Sequence, residues 1–521
     1  MQIISRMRFD ADSAYKTISA NFEASVIPTL VEYIRIPNLS PSFNGGKFDE
    51  PETELVVELF TKWVEAQAIP ELLMQVRRIP NRTPLIYIEI PATEEYSDRN
   101  DTVLLYGHLD KQPPFEGWHD GLGPYTPVIK DGRLYGRGGA DDGYAIFGSI
   151  EAIKEIKRQN IPHAKCIVLI EACEESGSPD LPAHLAGLVK EGFLRNVSLI
   201  ICLDSGAGNY DTFFMTTSLR GLLMTQLKVS TLTEGVHSGG GGGICADSFR
   251  IIRQLLSAIE NEASGEMIED FQVVIPEKRM AQNRNTCKSL GDAVWKGYPL
   301  VNGIPMEPTN DIETLALNRG WRAGLTITGI DGLAGCAIGG NVLRPSTTVK
   351  LSIRLPPTYD NTQAFARLEQ RFKAVLPPSA KMELSPPVTA KGWDAPATEP
   401  WLENACDRES KAMFGQPPCY IFEGGSIPFL GMLQDMFPTA QFCVTGVLGP
   451  HSNAHGPNEF LDIDYCKRVV VCVAGVLASH GVRPRTSSPG GVHSGDEKSA
   501  AARVAGDAED KLVKQKLAKS A

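Results

Sequence analysis

The sequence predicts an α/β domain that is interrupted by a second, inserted α+β domain. Strand-like apolar runs alternate with helical patterns up to about residue 214, and the same alternation returns near residue 401. The residues between these stretches form longer amphipathic strands and helices in a different order. A length of 521 residues also calls for more than one domain, since one domain usually holds about 100–200 residues.

The first segment, residues 1–214, carries the alternating pattern. Its apolar residues have helical spacing over 12–35. One further helix and four strands are predicted, the helix at 144–158 and the strands at 85–90, 102–106, 166–172 and 199–203. Because strands alternate with helices here, we expect a mixed, mostly parallel sheet flanked by helices.

The inserted segment, residues 215–390, has longer strands. It predicts a strand over 216–232 and an amphipathic helix over 246–263. A strand, a helix and a strand follow, at 347–355, 362–375 and 381–384. This β-α-β-α-β order predicts a compact α+β unit with one sheet face covered by helices.

The remaining chain first returns to the earlier pattern and then loses it. Residues 391–482 predict a helix, a strand and a helix, at 401–414, 441–447 and 464–479. We therefore assign them to the same domain as residues 1–214. Residues 483–521 are rich in Ser, Gly, Ala and alternating charge, a composition typical of a disordered tail.

Composition argues against several classes of protein. The formal net charge is −11, and an acidic surface repels phosphate backbones, so we expect no nucleic-acid partner. No run approaches about 18 uninterrupted apolar residues, and the N-terminus lacks the apolar core of a signal peptide, so we expect no membrane span and no secretion. The eleven cysteines are scattered and odd in number, which favours free thiols in the cytoplasm over a disulfide framework.

Two candidate functional motifs come early in the chain. LLYGHLDKQPP places His108 and Asp110 just after a strand, where an imidazole can bind a metal while a carboxylate orients it. A purely structural strand-end histidine is the alternative. LYGRGGADDGYA places Asp141 and Asp142 in a glycine-rich turn that opens a helix, where carboxylates are favourable in any case. Two aspartates would repel a phosphate group, so a phosphate cradle fits this turn poorly.

Three later motifs add carboxylates and imidazoles. VLIEACEESGSPD places Glu174 and Glu175 at a strand end, with an exposed surface edge as the alternative. LIICLDSGAG adds Asp204, and GPHSNAHGPNE adds His451 and His455. Open α/β sheets bind their ligands at the carboxyl ends of the strands. Convergence of these groups at that edge favours a hydrolytic site with two metal ions.

Taken in order, the motifs resemble those of one family. The resemblance is carried by GHLD, GRGGADD, EACEESGSP, LDSG, EGVHSGGGG, LSIRL, EGGSIP and AHGPNE. This set is similar to the dinuclear metallopeptidases that include carnosinase, cytosolic non-specific dipeptidase, aminoacylase and succinyl-diaminopimelate desuccinylase. The resemblance covers about residues 15–482 and is nearest to the dipeptidase branch. It implies that the inserted domain is a ferredoxin-like lid that also mediates dimerisation.

The resemblance implies a centre of two divalent metal ions, zinc or manganese, with cobalt as a further candidate. Asp141 would bridge the two ions. His108 and Asp204 would complete one site, and Glu175 and His455 would complete the other. We expect His451 to lie beside the ligands or the substrate, with a role as a metal ligand as the alternative.

The resemblance also implies which residues carry the reaction. Glu174 would be the general base that activates a water bridging the two metal ions, and Asp110 would orient His108. His237 would reach the active site of the other subunit of a homodimer and stabilise the oxyanion of the transition state.

Three further residues would contact the substrate. Arg354 would bind its C-terminal carboxylate, and Gly424 and Ser426 would line the substrate site. Family members often carry Lys and Gly after the two aspartates, where this chain has Gly143 and Tyr144. We therefore expect the substrate-side contacts and the start of the following helix to differ here from those of the family.

The implied function is metal-dependent hydrolysis of the amide bond in dipeptides or short peptides with a free C-terminal carboxylate. The alternative is an N-acyl-amino-acid deacylase that uses the same metal site. A non-catalytic protein of this fold would lack a ligand or the base, and none is missing from the sequence. The absence of a G-x-S-x-G motif argues against a serine hydrolase.

Overall fold

The computed structural model of the chain describes residues 8–48, 50–305, 311–425 and 428–484. The chain divides into two compact units. The first unit comprises the residues up to 216, 395–420 and those from 432 onward, and the second comprises 217–394 and 421–431. The chain therefore leaves the first unit twice and returns to it twice.

The chain up to residue 202 alternates helices and strands in the first unit. Its helices are α1 (Ala11–Asn21), α2 (Ile27–Ile34), α3 (Pro51–Ala66), α4 (Tyr144–Arg158) and α5 (Leu181–Glu191). Its strands are β1 (Leu73–Arg77), β2 (Leu85–Ile90), β3 (Thr102–His108), β4 (Val128–Lys130), β5 (Arg133–Tyr135), β6 (Lys165–Glu171) and β7 (Val197–Cys202). The helical pattern predicted over 12–35 is α1 and α2, which a π-helical turn at Phe22–Val26 joins.

The inserted part has more strands than the sequence pattern predicted. Its strands are β8 (Phe214–Leu219), β9 (Gly221–Ser230), β10 (Val236–His237), β11 (Gly324–Asp331), β12 (Val342–Leu343), β13 (Ser346–Leu355), β14 (Lys381–Leu384), β15 (Val388–Ala390) and β16 (Trp393–Asp394). Its helices are α6 (Ser238–Gly241), α7 (Ser248–Leu256), α8 (Glu277–Leu290), α9 (Ala293–Lys296), α10 (Ile312–Gly320) and α11 (Asn361–Val375). Strand β11 escaped prediction because all of its residues are at least partly exposed.

The second unit contains an antiparallel sheet in the order β11-β13-β9-β14, with β15 also paired to β9. Along β9 and β13, buried residues alternate with more exposed ones, as expected when one sheet face is covered. Helices α7 and α11 cover that face, where Leu227, Ile251 and Leu368 are fully buried together. The predicted α+β unit is therefore confirmed.

Two predicted elements of the inserted part are wrong in extent. The strand predicted over 216–232 is broken at Arg220, because β8 pairs with β16 in a separate sheet. The helix predicted over 246–263 ends at Leu256. Further on, the Asn261 side chain accepts two backbone N–H groups, and such local bonds compete with a helix.

The last part of the described chain adds strands and helices to both units. They are α12 (Pro400–Phe414), β17 (Cys419–Glu423), α13 (Pro428–Met436), β18 (Gln441–Val444), β19 (Phe460–Asp462) and α14 (Ile463–Val482). The helices predicted over 401–414 and 464–479 are α12 and α14. Residues 421–431, in the middle of this part, belong to the second unit. The tail predicted to be disordered covers residues 483–521, and from residue 485 onward it lies outside the described residues.

The first unit is built on a six-stranded sheet in the order β1-β2-β6-β3-β7-β18. Strands β6, β3, β7 and β18 are parallel neighbours, and β2 runs against both β1 and β6. The prediction of a mixed, mostly parallel sheet flanked by helices is confirmed. Parallel neighbours bring their carboxyl ends to one edge of the sheet, where ligands bind in such folds.

Helix α14 lies in the core of the first unit. It packs against α1, α4 and α12. Among the described residues it is the one helix with the length and apolar composition of a membrane span. Of its 18-residue apolar stretch, 89% is buried inside the protein. Burial in the core accounts for that composition.

The cysteines of the chain are all free thiols, as the scattered spacing predicted. All of them lie among the described residues, and all except Cys245 and Cys336 are buried. The buried cysteines pack as small apolar side chains rather than as a covalent framework.

Candidate metal centre

The five predicted ligands come together at one edge of the central sheet. His108 ends β3, Glu175 follows β6 and Asp204 follows β7. Because these strands are parallel neighbours, their carboxyl ends lie side by side. The turn before α4 adds Asp141, and the loop before β19 adds His455.

The ligand atoms form two groups that share Asp141. His108, Asp141 and Asp204 make one group, Asp141, Glu175 and His455 make the other, and within each group the ligand atoms lie within 4.8 Å of one another. Asp141 Oδ1 is 3.3 Å from His108 Nε2, and Asp141 Oδ2 is 3.1 Å from His455 Nε2. Glu175 Oε2 is 3.2 Å from the same His455 nitrogen. One carboxylate thus offers an oxygen to each group.

The imidazole of His108 is oriented through its other nitrogen. Nδ1 donates a hydrogen bond to the main-chain carbonyl of Asp110 at 3.1 Å and lies 3.4 Å from the Asp110 carboxylate. Nδ1 is occupied by this bond, so Nε2 is the nitrogen that faces the ligand group and would bind a metal ion. Asp142 supports the same strand end, because its Oδ2 accepts the main-chain N–H of His108 at 3.2 Å.

Besides lying next to His108, the carboxylate of Asp110 accepts two main-chain hydrogen bonds that the sequence motif did not predict. Its Oδ1 accepts the main-chain N–H of Glu174 at 3.1 Å, and its Oδ2 accepts that of Glu175 at 3.0 Å. These N–H groups open the short helical turn Glu174–Ser176, where they have no partner within the turn. Asp110 therefore fixes the backbone from which both glutamate side chains extend.

The electrostatics of this edge favour a cation. Burial, with the nearby charges of Asp204 and Glu175, raises the pKa of the Glu174 carboxyl well above its usual range. Burial also raises the pKa of Asp204 to about 7. Burial lowers the pKa of His455, but Asp141 and Glu175 outweigh it and raise the value to about 11. Carboxylates crowded in a desolvated site are costly unless a positive charge accompanies them.

A buried ion pair holds the loop that carries His455. The Arg137 guanidinium pairs with Glu459 and donates to the main-chain carbonyl of Gly456 at 2.7 Å. Glu459 also accepts the N–H of Gly138 at 2.9 Å. The GRGG and GPNE motifs contained both partners, but no spacing rule showed that they pair.

The same loop has an unusual backbone. His451 has φ 65° and His455 has φ 64°, a left-handed conformation that residues with a Cβ rarely adopt. The His455 side chain is 56% exposed, whereas those of Asp141 and Glu175 are 6% and 4% exposed. His455 therefore forms the solvent side of its group, and His451 lies exposed in the same loop.

The structure gives a steric reason for glycine at position 143. A Cβ on Gly143 would lie 2.2 Å from Tyr33 Cε1, so the Tyr33 ring leaves no room for a side chain there. Tyr144 is fully buried and donates its hydroxyl to the main-chain carbonyl of Leu203. Helix α4 starts at Tyr144 without a side-chain cap.

Among the other predicted residues, His237, Arg354 and Gly424 belong to the second unit. The exposed His237 accepts the N–H of Gly239 on its Nδ1 at 3.1 Å, which keeps the ring proton on Nε2. Arg354 lies on β13, where burial lowers the pKa of its guanidinium. Gly424 follows β17, and Ser426 lies outside the described residues.

Gly424 sits where a side chain would not fit. A Cβ at this position would lie 2.9 Å from Arg220 Nη2 and 3.1 Å from the main-chain oxygen of Arg319. Arg220 also donates from Nη1 to the carbonyl of Asn318 at 3.1 Å. Arg220 thus packs the 421–431 segment against the end of α10 within the second unit.

A protein-family model described as Peptidase family M20/M25/M40 matches residues 104–479. The chain belongs to this family. The matched stretch contains both ligand groups in full. The resemblance predicted from the ordered motifs is therefore confirmed.

Relatives of this M20/M25/M40 peptidase carry dipeptidase names. A cysteinylglycine-S-conjugate dipeptidase of Corynebacterium striatum is 27% identical over 436 residues, which cover 83% of this chain and 92% of the relative. A Cys-Gly metallodipeptidase of Saccharomyces cerevisiae is 26% identical, covering 70% of this chain and 76% of the relative. A beta-Ala-His dipeptidase of Mus musculus is 27% identical, covering 67% and 70%.

Solved structures show the same fold. A dipeptidase of Saccharomyces cerevisiae superposes with a TM-score of 0.68 at 22% identity, over 91% of this chain and 99% of the other. Human carnosine dipeptidase 1 gives a TM-score of 0.65 at 21% identity, over 90% and 98%. At these identities the likeness establishes the α/β fold with its inserted domain.

As a member of the M20/M25/M40 peptidases, the chain is a metallohydrolase. Its ligand groups fit two divalent cations, because each combines an imidazole nitrogen with carboxylate oxygens and they share Asp141. The described residues bring no cysteine into either group. A shell of imidazole and carboxylate suits zinc, manganese or cobalt.

Proposed function

We propose that the protein hydrolyses the amide bond of dipeptides and short peptides that carry a free C-terminal carboxylate. The observation that carries this proposal is the pair of ligand groups sharing Asp141, with Glu174 next to Glu175 at the same sheet edge. The dipeptidase names of the relatives support the substrate class.

Two divalent ions are the proposed cofactors. His108, Asp141 and Asp204 would hold one, and Asp141, Glu175 and His455 would hold the other. When bound, such ions polarise the scissile carbonyl and lower the pKa of a water molecule towards neutrality. Zinc or manganese is proposed, with cobalt as a further candidate.

Glu174 is the proposed general base. Asp110 anchors its main-chain N–H, so its carboxylate extends from a fixed point beside both ligand groups. It would accept a proton from the attacking water and deliver it to the leaving amine. This role requires that Glu174 bind no metal itself.

Residues of the second unit are proposed to bind the substrate. Arg354 would pair with its C-terminal carboxylate, because a guanidinium matches a carboxylate with two parallel hydrogen bonds. Gly424 and Ser426 would line the site. His237 would act on the active site of the partner in a homodimer, where its Nε2–H could donate to the developing oxyanion.

We also propose that the protein works in the cytoplasm without nucleic-acid or membrane partners. The free thiols support a reducing compartment, and the net charge of −11 disfavours binding to phosphate backbones.

The experiment that tests the function separates a dipeptidase from a deacylase. Protein stripped with a chelator is reloaded with zinc or with manganese and given free dipeptides beside their N-acetylated counterparts. Release of the C-terminal amino acid from the free dipeptides alone is expected. Cleavage of mainly the acetylated set would instead assign it to the N-acyl-amino-acid deacylases, and cleavage of neither with two metals bound would refute both.

A further inference from the structure

Gln112 contacts a proposed metal ligand from outside both ligand groups. Its side-chain Nε2 donates a hydrogen bond to Glu175 Oε2 at 2.6 Å. The same oxygen is 3.2 Å from His455 Nε2. One oxygen of Glu175 therefore faces the His455 imidazole and the Gln112 amide at once.

We propose that Gln112 is a positioning residue that sets the rotation of the Glu175 carboxylate and thereby the affinity of one metal site. The inference rests on the proposed function, which makes Glu175 a metal ligand. A carboxylate oxygen has two lone pairs, and an N–H donor on one of them leaves the other in a defined direction. Hydrogen bonds to ligating carboxylates commonly fix the ligand in this way.

The main chain that carries Gln112 is itself held in place. The completely buried Nζ of Lys111 donates to the carbonyls of Tyr33 at 2.7 Å and Ile36 at 2.6 Å, at and just after the end of α2. The Lys111 main chain bonds to Asn38 and Ser40 through its N–H and its carbonyl, at 3.1 and 3.0 Å. The Gln112 amide therefore reaches Glu175 from a rigid base.

The rotation and the position of Glu175 are controlled separately. Asp110 holds the main-chain N–H of Glu175 at 3.0 Å, while Gln112 holds the end of its side chain. Loss of the Gln112 amide would leave the backbone in place and free only the carboxylate.

The contact concerns one metal site and not the other. Glu175 belongs to the group with Asp141 and His455, and it is absent from the group of His108, Asp141 and Asp204. A general loss of stability would weaken both sites alike. Removal of the Gln112 donor is therefore expected to weaken a single site.

The test is a titration of the metal-free, full-length protein with Mn²⁺ in a calorimeter. Gln112→Met removes the donor at similar length and volume, and Gln112→Asn keeps an amide that is one methylene too short. Both are expected to lower the affinity for one of two equivalents by about 10- to 100-fold and to leave the other unchanged. The melting temperature of the metal-free protein should not change.

A matched control is Gln67→Met. Gln67 lies in the same unit and donates its amide to the main-chain carbonyl of Trp63 at 2.9 Å, so its variant should bind both equivalents as the wild type does. Two equivalents with unchanged affinity in the Gln112 variants, or an equal loss at both sites, would overturn this inference alone. Wild-type protein that bound fewer than two equivalents would overturn the proposed function together with it.

Discussion

The carboxylate of Asp110 accepts the main-chain N–H of Glu174 at 3.1 Å. The main-chain carbonyl of the same aspartate accepts the Nδ1 proton of His108. One residue therefore ties the end of β3 to the loop after β6. Asp110 thus supports both Glu174, the proposed general base, and His108, a proposed metal ligand. Disturbing either strand end would displace both.

Glu174→Gln is expected to abolish most of the turnover while leaving the metal content intact. The amide cannot accept a proton from water, and general-base catalysis typically contributes about 10²–10⁴-fold. Turnover and metal analysis of the same preparation check this. Near-normal turnover would show that another group takes the proton.

Single alanine variants of the ligands should remove metal in a fixed pattern. Asp141→Ala should lose both ions, because its two oxygens face the two different imidazoles. Asp204→Ala and His455→Ala should each lose one. Elemental analysis after gel filtration measures the stoichiometry, and two ions retained by Asp141→Ala would disprove the shared ligand.

Arg354→Ala should weaken the binding of substrates that end in a carboxylate far more than the binding of their C-terminal amides. A guanidinium–carboxylate pair is charge-assisted and bidentate, whereas an amide end offers a single neutral acceptor. The ratio of kcat/KM for each dipeptide and its amide is the measurement. Equal losses on both kinds of substrate would contradict the assignment.

Arg137 and Glu459 should be strongly coupled in stability. Both are buried, so Arg137→Met or Glu459→Gln leaves an uncompensated group and should cost about 3–5 kcal/mol of unfolding free energy. The double variant should lose less than the sum of the two single losses. Urea unfolding of the metal-free proteins gives these values, and simple additivity would show that the pair does not interact.

Stability should fall in acid in part because of His480. Burial, with Arg483 and Arg99 nearby, holds the pKa of its imidazole well below the usual range. Below about pH 6.5 the unfolded imidazole takes up a proton that the folded one refuses, so stability drops by up to about 1.4 kcal/mol per pH unit. Above that pH the full contribution is present.

The measurement compares urea unfolding of the wild type with that of His480→Gln from pH 7.5 down to pH 5. The variant should show a shallower loss of stability below about pH 6.5. Burial also lowers the pKa values of His163 and His184, but both remain in the variant, so the difference isolates His480. Parallel curves would refute the role of this imidazole.

Local patterns were enough to predict much of this protein. The helical periodicity of apolar residues predicted α4. Short apolar runs predicted β2 and β3, whose side chains are buried except for one half-buried residue in β2. The motifs identified the candidate ligands in their order along the chain. Because parallel strands end at one edge of the sheet, these residues could be expected to lie close together. Such information is local because a helix or a buried strand imposes its period on neighbouring residues.

Contacts between segments that are far apart in the chain leave no such pattern in the sequence. Gln112 and Glu175 are 63 residues apart, and Arg137 and Glu459 are 322 apart. Neither pair has a spacing that a helix or strand would impose, so only the folded chain shows that they meet. The assignment of residues 421–431 to the second unit has the same origin. Short sequence motifs were therefore enough to identify the proposed ligands. The groups that orient them could be identified only in the folded chain, because packing brings them together from segments far apart in the sequence.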